Sequence, residues 1–167
     1  MKEIFFRRSH RKFQDKAVES ELVERLLRAA MQSPTGRDAQ DWEFIVVTNK
    51  DTMQTISTMS PVSVSAKNAP LLIVMLANLE RAVQGVDQWK CDVAAACQTV
   101  LLEAEHLGLG AVWLASFPYE DRMAVVKELF RLPEHIVPFG VLAIGYKERE
   151  KAPVDRYDPA KVHWEKY

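Results

Sequence analysis

The sequence predicts an α/β or α+β domain built around one central sheet. Apolar residues recur at spacings of three and four in the segments 20–31 and 86–107, and short continuous apolar runs lie between and after them. Helical and strand patterns therefore alternate along the chain, the order expected of a sheet flanked by helices. With 167 residues, 48% apolar and 27% charged, the chain has the composition of a single globular domain with a real core.

The elements follow in order. SELVERLLRAAM (20–31) puts Leu22, Val23, Leu26, Leu27, Ala30 and Met31 on one helical face, and Ser20 is placed to cap it. SPTGRDAQ (33–40) breaks that helix with Pro and Gly and reads as a loop. EFIVV (43–47) reads as a strand, and a small helix runs from Asn49 or Lys50 toward Met59. PVSVSAKNA (61–69) is loop-like. PLLIVMLA (70–77) is a continuous apolar run of the kind found in strands buried on both faces. From Val86 to Leu107 the apolar stripe widens until the helix is apolar on most sides, which predicts burial in the centre of a domain or against a second subunit. GLG (108–110) stops it, GAVWLA (110–115) is a strand, and Glu120 and Asp121 open a helix that ends near Arg131. IVPFGVLAIGY (136–146) is the last strand, in which Pro138 requires a bulge or an edge position. The remaining tail is polar, broken by Pro, and ends in the aromatic pair Trp164 and Tyr167, a pattern that predicts packing on a neighbour.

Charge and motifs narrow the chemistry. Twenty-two basic and 23 acidic side chains leave a formal net charge of −1, so a nucleic-acid surface is not expected. No apolar stretch is long enough for a membrane helix and no secretory leader is recognisable, so a cytoplasmic protein without a membrane or nucleic-acid partner is expected. Cys91 and Cys97 on one helix would lie roughly 9 Å apart along its axis, beyond disulfide reach; buried free thiols are expected. The four histidines have no zinc spacing, so no metal site is expected. Phosphate-loop, dinucleotide-fingerprint and nucleophile-elbow motifs are absent. What remains is RRSHRK (7–12), in which Arg7, Arg8, Arg11 and Lys12 surround Ser9 and His10. Arginine forks bind phosphate through paired charged hydrogen bonds, and this run reads as an anion site. Pro34, Thr35 and Gly36, beside Arg37, would let backbone approach a flat ligand.

In this order these stretches resemble the FMN-dependent nitroreductase family. RRSHRKF resembles its opening RRSxRxF. MQSPTGRDAQDWEFIVV resembles its PSG…N…QPW…F…VV stretch, and NAPLLIVM its next strand. CDVAAACQTVLLEAEHLGLGAVWL resembles its alanine-rich core helix and following strand, and DRYDPAKVHWEKY its short C-terminal ending. The resemblance implies a single FMN-binding domain over 1–167, with an α+β fold, a mixed central sheet flanked by helices, and an intertwined homodimer. Its tail, about 148–167, would wrap the partner. It also implies an FMN-dependent NAD(P)H oxidoreductase that passes hydride through the flavin to a nitroaromatic, a quinone or a similar small acceptor, with NADH or NADPH as donor.

Carried over residue by residue, Arg7 and Ser9 would contact the FMN phosphate or ribityl chain, with Arg8 nearby. Arg11 would approach the pyrimidine edge, where a guanidinium stabilises the negative charge of reduced flavin. Pro34, Thr35 and Gly36 would come from the partner and pack on the ring, with Asp38 beside them. Ala115 and Ser116 would bring a backbone N–H toward flavin N5, and Arg156 would close the phosphate site, with Lys151 a further candidate. No catalytic side chain is implied. Two positions depart from the pattern: Asp38 stands where Asn is common, and Asp41 where Pro is common. Asp41 is expected to alter only the loop, leaving Gln40 and Trp42 structural. The stretch between the strand at 70–77 and the core helix is short, so little of it is expected to cover the flavin. Two other readings remain open: a flavin carrier or redox sensor with little turnover, and a non-flavin module whose arginines hold an anionic partner such as RNA.

Overall fold

The computed structural model describes Lys2–Tyr167. A four-residue helix α1 (Glu3–Phe6) precedes α2 (Ser20–Ala30), β1 (Trp42–Val47), α3 (Lys50–Ser57), β2 (Leu71–Asn78), α4 (Trp89–His106), β3 (Leu109–Ala115), α5 (Glu120–Phe130) and β4 (Ile136–Tyr146). The strands lie in the order β1-β2-β4-β3 and pair antiparallel throughout. The mixed sheet implied by the resemblance is thus corrected for these strands. The parallel pairing in this region is an isolated bridge between Ser9 and Ala111.

β2 shows why its sequence is apolar without alternation. All eight of its residues are buried. Leu71, Ile73, Met75 and Ala77 face one core, shared with Leu26 and Ala30 of α2 and with Val93, Ala96, Cys97 and Val100 of α4. Leu72, Val74 and Leu76 face the other, shared with Met53 and Ile56 of α3 and Val126 of α5. The period-2 geometry of a strand sends successive side chains to opposite faces, so a central strand in a three-layer domain must be apolar at every position.

Pro138 sits in a bulge. Met75 pairs with Gly140 and Leu76 with Pro138, which leaves Phe139 as the extra residue. β4 is internal, so the edge alternative does not hold. The bulge places Phe139 among Trp89, Trp113 and Phe117, with ring centroids 5.7 Å apart for Phe117 and Phe139.

Several local expectations need correction. Glu19, not Ser20, is the N-cap of α2, and no side-chain cap bond forms. α4 begins at Trp89; Val86 is exposed in the preceding loop. Cys97 is buried, and burial pushes its thiol far up, but Cys91 is exposed. The tail carries a single short turn, Pro159–Lys161, and Tyr157, Trp164 and Tyr167 are exposed. No helix of the described residues is long and apolar enough to cross a membrane.

Candidate cofactor-binding site

The cationic segment is held in place by backbone pairing. The His10 amide donates to the Ala111 carbonyl at 3.0 Å, and Phe13 bridges antiparallel to Lys147. His10 is buried while Arg11 is exposed, so the run presents its charges outward from an anchored imidazole. Gly110 makes this close approach possible: a Cβ there would meet His10 Cβ at 2.8 Å.

The start of the tail returns to this segment. Arg8 Nη1 donates to the Ala152 carbonyl at 2.6 Å, and Lys151 Nζ donates to the Ser9 carbonyl at 2.6 Å. Arg11, Lys12, Arg149 and Lys151 line a cavity of about 200 Å³ together with His10. Burial, with Arg11, Arg8 and Arg149 around it, holds the Lys151 amine below its ordinary value. Burial, Lys151 and Lys147 likewise lower the His10 imidazole, which favours its neutral form. Lys147, beneath them, is different. Burial works against its charge, but hydrogen bonds from Nζ to Glu105 at 2.7 Å and Glu150 at 3.2 Å outweigh it and raise the amine. The inner lysine is therefore compensated. Among the described residues, the outer cavity is lined by cations and His10 without a carboxylate. Four crowded cations are mutually repulsive unless an anion joins them, and an arginine-lysine pocket of this kind suits a phosphate.

The second predicted segment lies elsewhere. Ser33 Oγ and Thr99 Oγ1 share a hydrogen bond of 2.8 Å, and the Gly36 amide donates to Asp92 Oδ2 at 3.1 Å. Gln88 Nε2 donates to the other oxygen of Asp92 at 3.2 Å. A Cβ on Gly36 would meet Gln88 Cγ at 2.5 Å, so a larger residue would displace the Gln88 side chain that bonds Asp92. The loop turns through positive φ at Arg37, Asp38 and Gln40. The Gln40 amide donates to Thr35 Oγ1, and its side chain donates to Asp38 Oδ1 at 2.9 Å. Pro34 and Asp38 are exposed, and Thr35 and Gly36 half-buried.

Asp41 corrects an expectation. It is fully buried, and neither carboxylate oxygen has a hydrogen-bond partner. Its carbonyl accepts from the Asn78 amide at 2.7 Å, which draws it inward at the foot of β1. Burial and the neighbouring Asp92 push its carboxyl above the ordinary range.

A single chain does not bring the two halves together. Asp92 anchors the loop and Glu105 lies under the basic segment; both are on α4, separated along its axis by roughly 20 Å. Ala115 lies at the far end of β3, about 13 Å along the strand from the Ser9 partner Ala111. Its carbonyl accepts from Arg122 Nη1 at 3.2 Å. Ser116 is buried, and its amide donates to the Phe139 carbonyl at 3.3 Å, so that N–H is already engaged in the single chain. Arg7 ends α1 half-buried, and Arg156 is exposed in the tail. The structure thus gathers Arg8, Ser9, Arg11 and Lys151, and adds Arg149 and Asp92, which sequence reasoning missed. Asp92 had one signal: it is an acid inside an otherwise apolar stretch, CDVAAAC.

The profile of the nitroreductase family matches residues 4–88 and 63–146. The chain belongs to the nitroreductase family. A Methanothermobacter thermautotrophicus relative, provisionally named an NADH dehydrogenase/NAD(P)H nitroreductase, is 40% identical over 96% of this chain and 84% of its own. A crystal structure from Clostridium acetobutylicum, provisionally an NADH oxidase, superposes with a TM-score of 0.95 at 44% identity, covering 99% of both chains. Another, from Clostridium difficile R20291, is described as an FMN-dependent nitroreductase; it gives a TM-score of 0.89 at 30% identity, with 96% of each chain covered. The α+β fold is therefore the nitroreductase fold, and the family is one of NAD(P)H oxidoreductases.

Proposed function

We propose that this chain is an FMN-dependent NAD(P)H oxidoreductase acting on a nitroaromatic, a quinone or a similar small acceptor. The observation that carries the reading is the cavity of cations, with Arg11, Arg149 and Lys151 in its wall and Arg8 adjoining. Such a cavity fits a phosphate-bearing cofactor, and the Clostridium difficile relative of the same fold is described as FMN-dependent. When bound, FMN supplies the redox chemistry, taking hydride from the donor and yielding electrons to the acceptor.

The residues supply position and charge. Arg8 and Lys151 are tied to backbone carbonyls and fix the floor of the phosphate site, with Arg7, Ser9 and Arg156 around it. Arg11, exposed beside that floor, is free to reach the pyrimidine edge and stabilise negative charge there. Ala115 and Ser116 form the far wall at the end of β3. Pro34, Thr35, Gly36 and Asp38, some 20 Å away along α4 in the same chain, complete the site from the second copy of a homodimer. The exposed aromatic tail would wrap that copy, which gives Trp164 and Tyr167 a place to bury.

An absorption spectrum of the purified protein, taken before and after NADH or NADPH is added without oxygen, tests this. Flavin bands that bleach are expected. Bands that persist would make the protein a carrier or sensor. A colourless protein that takes up no added FMN would overturn the flavin reading.

A further inference from the structure

A second cavity, of about 390 Å³, adjoins the phosphate site through a shared wall, Lys12. Three separate segments give it its lysines: Lys12 from the N-terminal run, Lys50 from the start of α3, and Lys67 from the turn before β2. Lys50 Nζ donates to the Ala69 carbonyl at 3.4 Å, which holds it near the rim. Phe13, Gln14 and Asn68 complete the lining, with the carboxylates Asp15 and Glu148. Three ammonium groups face two carboxylates, so the cavity carries net positive charge beside a site that is already cationic.

The composition suits a nucleotide better than a lone ion. The volume falls in the range of small-ligand pockets. Asn68 offers an amide for a base's edge and Gln14 a carbonyl oxygen, its Nε2 being bonded to the Lys147 carbonyl at 2.8 Å, while Phe13, packed against the second core, forms an apolar wall. Lysines act as point charges toward a phosphate monoester, and a carboxylate can accept from the 3′ hydroxyl that a 2′-phosphorylated ribose retains.

We infer that this cavity seats the 2′-phosphorylated adenosine end of the hydride donor, so that the protein selects NADPH over NADH. The inference rests on the flavin oxidoreductase reading. It deepens that reading by naming the donor and the residues that choose it. No cluster in the sequence marks such a site, because its three lysines are brought together only by folding.

The test uses FMN-treated protein and two probes of similar charge, 2′,5′-ADP and 5′-ADP, titrated calorimetrically. Tighter binding of 2′,5′-ADP is expected. Lys67→Gln and Lys50→Gln should each weaken it by about tenfold, the loss expected for a charge-assisted hydrogen bond, while Lys67→Arg retains it. Flavin absorbance of the same samples separates the two levels of the account. Protein that keeps FMN but binds both probes equally would assign the cavity to the adenosine 5′-phosphate that the two share, and overturn the inference while the flavin reading stands. Absence of saturable binding, or binding unmoved by either lysine variant, would also overturn it. Protein that holds no FMN refutes the flavin reading, and the donor assignment falls with it.

Discussion

Arg11→Ala is expected to weaken FMN retention by about ten- to a hundredfold, the worth of one hydrogen bond to a charged group, and to slow flavin reduction. The side chain is exposed, so its removal should leave the thermal midpoint nearly unchanged. The loss is electrostatic. Arg11 lines the cavity, and after burial it acts more strongly than Arg8 or Arg149 in lowering the Lys151 amine. Arg11→Lys should restore part of the affinity, because it keeps the charge and loses the planar fork. Equilibrium dialysis of FMN against the purified variants measures this. A variant that keeps full flavin and full reduction rate removes Arg11 from the site.

Asp41→Asn is expected to stabilise the protein at neutral pH by about 1–3 kcal/mol: the amide is as unpartnered as the carboxylate but carries no charge, and an unpaired buried charge costs more than a neutral polar group. The pH dependence follows from the direction of the shift. The Asp41 carboxyl lies above its ordinary value of 3.8 in the folded state because of burial and Asp92. Below that ordinary value both folded and unfolded chains hold the proton, and the group contributes no difference. As pH rises past it, the unfolded chain releases its proton first, so stability falls until the folded carboxyl also ionises and then levels off. Urea unfolding at several pH values should show wild type losing stability across that window and the variant not. A variant destabilised equally at acid and neutral pH would mean that the carboxylate makes a structural bond the chain needs.

Much of the fold was legible because burial leaves periodic marks. The wide stripe of α4 and the unbroken apolar run of β2 both reflect elements covered on more than one side, and Pro138 signalled a bulge or an edge, of which the structure has the bulge. Strand direction was not legible. A strand buried on both faces is apolar whether its neighbours run parallel or antiparallel, so PLLIVMLA could not report the antiparallel pairing it makes. The site was half legible. RRSHR stands out as a charge run, and Lys151 was named through the family resemblance, but Arg149 was not; the meeting of the two ends shows in the Arg8 bond to the Ala152 carbonyl and the Lys151 bond to the Ser9 carbonyl. Asp41 misled for a local reason. It closes a polar loop, SPTGRDAQD, that reads as solvated, and its burial is imposed by the Asn78 amide, 37 residues away on β2.

The central claim is that the flavin site is assembled from two chains. Coexpression of an Arg11→Ala copy and a Pro34→Asp copy, each with its own affinity tag, tests it most directly. Each variant alone should form flavin-poor homodimers. In the hybrid, one site receives both lesions and the other receives neither, so two-fold geometry predicts about one flavin per dimer. Hybrids captured through both tags should therefore show about half the flavin absorbance of the unmutated dimer. A hybrid as empty as its parents, or no hybrid at all, would contradict the account and place the site within one chain.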